Sequence, residues 1–86
     1  MSKSLGEALP EGIAKVSEWI GQQEAQAKEI EAISPGSGRG MLFMANVVRT
    51  KRDVALAAQQ SGDVIAMIAA YQELKPCIEL ATENTD

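Results

Sequence analysis

Apolar side chains return along this chain in strides of three and four. Leu9, Ile13, Val16, Ile20, Gln23, Ala27 and Ile30 alternate steps of four and three, which lays them along one side of a helix. Glu11 with Lys15 and Glu24 with Lys28 add correctly oriented i,i+4 pairs on the other side. Pro10 suits a first helical turn and Ser34-Pro35-Gly36 ends the segment, so a first helix is predicted over about residues 10–33, about 36 Å long. Gly12 and Gly21 weaken it, which leaves packing rather than propensity to hold it.

A second helix is predicted over about residues 41–61. It carries two stripes: a seam of Phe43, Val47, Thr50, Val54 and Ala57, and beside it Met41, Met44, Val48, Ala55 and Ala58. Two stripes imply two neighbours. The opening turn, Met41 to Ala45, is apolar all round and suits a helix end buried from several sides. Gly62 is placed to end this helix in a left-handed conformation and Asp63 to cap the next one, giving a tight antiparallel hairpin. The third helix carries Val64, Met67, Tyr71, Leu74, Ile78 and Ala81 as its seam, with Ile65 and Ile68 to one side. The seam keeps its phase across Pro76, which predicts a kinked helix reaching about Ala81.

The expected fold is therefore all-α: one domain over residues 1–86, a small three-helix bundle made of a long first helix and the hairpin of the second and third. Residues 1–9 and 82–86 are expected to be flexible ends, and 34–40 a glycine-rich interhelical loop. Composition agrees with this. In 86 residues, 45% apolar, there is one Trp, one Tyr and one Phe, so packing must come from aliphatic side chains at close approach. The apolar stripes exceed what three helices of one chain hide from water, which predicts a homo-oligomer.

Charge is uneven. Three lysines face six glutamates in residues 1–34, Arg39, Arg49, Lys51 and Arg52 are unopposed in 35–52, and Lys75 faces six acids in 53–86, for a net charge of −4. The stretch from Gly36 to Arg52 thus invites a ligand reading. Glycines at 36, 38 and 40 at a helix entrance let an anion approach backbone amides, and Arg39 offers a forked donor. Gly36, Gly38, Arg39, Gly40, Arg49, Lys51 and Arg52 are the candidate ligand residues for a small anionic, nucleotide-type molecule. Yet Gly-Ser-Gly-Arg-Gly matches neither phosphate-loop spacing, and a helix precedes it where those folds need a strand. The bland alternative is a flexible connector followed by internal ion pairs, Arg49 to Asp53 among them, with Lys51 and Arg52 meeting glutamates of the first helix. Nucleic-acid binding ranks lower still, because no aromatic residues interleave the cations.

Reactive chemistry is scarce. The chain has no histidine, which removes His-based triads, the usual zinc sites and proton shuttles near neutral pH. Its single cysteine, Cys77, has no base in sequence reach except Lys75 and reads as a small buried thiol. No catalytic residue, metal or cofactor is assigned. A non-enzymatic protein-protein interaction module is expected instead, cytoplasmic and without membrane contact, which binds itself and a larger protein as adaptor or inhibitor. Trp19, Met41, Met44, Val48, Ile65 and Ile68 are its candidate interface residues. No family is recognised closely enough to carry a function across.

Overall fold

The computed structural model describes residues 4–83. Three helices, α1 (Leu5–Ile33), α2 (Arg39–Ser61) and α3 (Val64–Glu83), account for nearly all of them, and no strand is present among the described residues. Helix α1 begins five residues before the predicted start. Ser4 is its cap in extended conformation, with its carbonyl accepting from the amides of Glu7 at 3.0 Å and Ala8 at 2.8 Å. Pro10 therefore lies inside the helix and not in its first turn. What carries α1 past the proline is burial: Leu9 is fully enclosed and Leu5, four residues earlier, packs on the core. Residues 5–9 are thus structured, not a flexible end, as are Thr82 and Glu83 at the far side; residues 1–3 and 84–86 lie outside the described part.

The connector is shorter than the glycine pattern suggests, since α2 already starts at Arg39. The second turn forms as its residues predict. Gly62 takes the left-handed conformation at φ 72° and donates to the Gln59 carbonyl, while Asp63 Oδ1 accepts from the amides of Ile65 at 3.0 Å and Ala66 at 3.3 Å. Helix α3 runs on through Pro76 to Glu83.

Contacts between helices fix an up-down-up order. Ala27 of α1 lies against Gly38, Glu24 against Arg49 and Ser17 against Arg52, so α1 and α2 are antiparallel. Helix α3 meets α2 where Glu73 pairs with Lys51, and meets α1 where Leu74 and Ile78 approach Gly12 and Thr82 accepts from Lys15, so it runs parallel to α1. The α1–α3 crossing depends on a missing side chain. A Cβ at Gly12 would overlap the Cδ1 of Ile78 and stand 3.2 Å from its Cγ1.

Small residues dominate the interior. Alanines 27, 45, 55, 58, 70 and 81 are buried, and Leu9, Val16, Ile20 and Leu74 are its largest fully enclosed side chains. In α2 the buried stripe is Ala45, Val48, Ala55 and Ala58, while the predicted seam of Phe43, Val47, Val54 and Ala57 faces outward. The expectation that residues 41–45 are buried from several sides fails within one chain, because Leu42, Phe43 and Met44 are exposed. The molecule measures 45 × 26 × 15 Å, with a radius of gyration of 14.3 Å against about 12 Å for a compact domain of this length.

Two glycines of α1 should respond in opposite senses. No atom lies within 4 Å of a Cβ built at Gly21, so Gly21→Ala should stabilise by about 0.5–1 kcal/mol through helix propensity alone. Gly12→Val should cost about 1–3 kcal/mol by overpacking Ile78. Thermal unfolding of the two variants checks this; a Gly12→Val midpoint equal to wild type would mean that α1 and α3 do not meet as described.

Candidate interaction surface

The glycine-rich turn already holds an anion, and it is the chain's own. Gly36 donates to Glu31 Oε2 at 2.8 Å and Gly38 to Oε1 at 3.0 Å, so the last turn of α1 places its carboxylate where a phosphate would sit. Gly36 adopts φ 92°, a value that favours glycine and turns its amide inward. Gly38 is buried against α1, with a Cβ there only 2.8 Å from the Ala27 carbonyl oxygen. The amide of Gly36, then that of Gly38, hold the Glu31 carboxyl below its ordinary value against an opposing desolvation, with the charge of Arg39 adding least. Arg39 and Gly40 are exposed at the start of α2.

The cations of α2 are similarly engaged. Arg49 pairs with Glu24 of α1 and also donates to Asn46 Oδ1 at 3.2 Å, so the expected Arg49–Asp53 pair is replaced. Asp53 instead takes Arg52, whose Nη2 lies at 3.0 Å and whose Nη1 reaches Ser17 Oγ at 3.4 Å. Lys51 turns to Glu73 of α3 at 3.0 Å rather than to α1, and that bond raises its pKa. The four candidate cations are therefore not gathered into one site. Arg49 and Lys51 link α2 to different helices, and Arg52 stays largely with its neighbour.

Of the candidate interface residues, Trp19 and Val48 are buried at 4% and 2% exposure and belong to this chain's own core. The indole Nε1 of Trp19 is enclosed without a hydrogen-bond partner, an arrangement that costs about 1–3 kcal/mol. Met41 is half-buried, whereas Met44, Ile65 and Ile68 are exposed. The sequence reading missed the larger part of the outer surface: Phe43 at 67% exposure, Val47, Val54, Val64, Leu42 and Ile33. A usable signal was present. Alanines at 45, 55 and 58 mark the stripe that approaches other helices closely, and the bulkier stripe is the one left outside.

The outer stripe of α2 continues onto α3 across an apolar groove of about 460 Å³. Val54, Ala57 and Ala58 line one wall, Ala66, Ala69 and Ala70 the other. Cys77 is buried nearby, where desolvation pushes its thiol pKa up, an effect that Lys51 opposes and Glu73 reinforces. Among the described residues no cluster of three or more His, Cys, Asp or Glu is arranged to hold a metal ion, and no helix is long and apolar enough to cross a membrane.

Comparison with models of known families, with curated proteins and with solved structures finds no significant match to this chain.

Glu31 should titrate visibly. Its folded-state pKa is depressed, so its contribution to holding the turn is present above the unfolded value and lost as pH falls through the folded one. Hydrogen exchange at the Gly36 and Gly38 amides, corrected for intrinsic rates, should therefore lose protection on acidification and at all pH values in Glu31→Ala. Protection that persists in that variant would show that another group holds the turn.

Proposed function

We propose that this protein is a non-enzymatic helical interaction module. It self-associates and docks on, assembles with or inhibits a larger protein through the outer face of α2 and α3. One observation carries the reading: Phe43, Val47, Val54 and Ala57, with Thr50 among them, keep coiled-coil spacing along the side of α2 that faces away from its own core. A stripe with that period and that exposure is built to meet another helix.

Two further facts support it. The chain exposes 5678 Å², whereas a compact monomer of its mass exposes about 4,900 Å². The excess approaches the roughly 800 Å² that each partner contributes to a standard interface. Chemistry points the same way, since no histidine is present and the one thiol is buried with a raised pKa. In this reading α3 bends at Pro76, where the ring removes a backbone donor and crowds the Gln72 carbonyl. The module works in the cytoplasm.

Photo-crosslinking in the native host tests the proposal. A benzophenone side chain at Val54 should yield covalent adducts, with copies of this chain or with another protein, that the same group at Gln22 on the exposed side of α1 does not. Equal adducts from both faces, or none from Val54, would overturn it.

A further inference from the structure

Resting on that reading, we infer that two copies pair across a two-fold axis beside Thr50, α2 antiparallel to α2, with Phe43 of each seated in the alanine-lined groove of the other.

The argument starts from taper. The outer stripe of α2 is bulky at its N-terminal end, where Leu42, Phe43 and Met44 are exposed, and small at its C-terminal end, where Ala57 and Ala58 line the groove. Parallel pairing sets Phe43 against Phe43 and alanine against alanine, splaying the helices at one end and leaving a gap at the other. Antiparallel pairing sets thick against thin. Phe43 and Ala57 each stand seven residues from Thr50, on opposite sides of it. An axis beside Thr50 therefore brings the ring of one copy to the groove of its mate, and symmetry repeats the contact. The groove, at about 460 Å³, is lined by Ala57, Ala66 and Ala69 with Glu73 beside them, and its volume exceeds that of an aromatic ring.

The residues along the axis suit this arrangement. Thr50 donates its hydroxyl to the Asn46 carbonyl at 3.0 Å within its own helix, so no polar group at the centre of the interface needs a partner from the other copy. Lys51 and Asp53 flank the stripe and approach their own counterparts near the axis. Each is already paired inside its chain, Lys51 with Glu73 and Asp53 with Arg52, which lessens the like-charge repulsion. The helix dipoles also oppose one another in antiparallel pairing and reinforce repulsion in parallel pairing. Near the same groove, exposed Ile65 and Ile68 extend the apolar area that the mate covers.

Sedimentation equilibrium and pulsed electron resonance distances decide the matter together. The wild-type chain should sediment as a dimer, and Phe43→Ala should weaken it roughly 10- to 100-fold while the helical circular dichroism is kept, because Phe43 does not hold the monomer together. A spin label at Gln60, in a Cys77→Ala background, should report a separation of about 30 Å, from ten residues on each side of the axis at 1.5 Å per residue. A monomeric wild type overturns the pairing, yet leaves the interaction module standing if Val54 crosslinks to a different protein. A dimer indifferent to Phe43→Ala, or one with Gln60 labels within about 20 Å as parallel pairing demands, also overturns it.

Discussion

Close approach between helices through small residues is the constraint on which this structure depends. Gly12 lets α3 settle on α1, Gly38 lets the start of α2 touch the α1 backbone, and buried alanines line the remaining contacts. Such contacts position helices well but remove little apolar area from water per residue. A buried alanine methyl contributes about one methylene's worth, near 0.8 kcal/mol, where a buried leucine contributes about 1.5–3 kcal/mol. With few large side chains fully enclosed, the monomer has a thin core. The side chains able to thicken a core, Phe43, Val47, Val54, Ile65 and Ile68, stand outside it. One allocation of side-chain size thus leaves both a thin core and an apolar outer face.

Electrostatics serves the same scaffold. The basic block in the middle of the sequence, set between two acidic ones, becomes in three dimensions a set of links from α2 to its neighbours: Arg49 to α1 and Lys51 to α3. These pairs are partly solvated, so each adds little to stability. Their value is in register. Glu31 does similar work at the turn, because a carboxylate fixed by two amides defines how the chain leaves α1.

Much of the architecture was legible in the residues. The three-helix order, the Gly62 turn and the Asp63 cap follow from local rules that tertiary context does not disturb. The start of α1 was not, because Pro10 satisfies a first-turn rule while burial of Leu9 extends the helix five residues upstream. The two stripes of α2 were recognised as stripes, but periodicity alone does not say which one turns inward. That choice was made by volume, since only the alanine stripe fits the close distance to α1 and α3. The candidate anion site looked plausible for a sound reason, as its amides do bind an anion. Nothing local in the sequence revealed that Glu31 would supply it from five and seven residues upstream.

A chain whose outer face is completed by another copy has a stability that depends on its concentration. Thermal unfolding followed across a hundredfold range of protein concentration tests this most directly. If a second copy covers the outer face, the midpoint rises with concentration by about 5–10 °C over that range, as mass action requires of a folded state coupled to association. A midpoint that does not move with concentration would contradict the account.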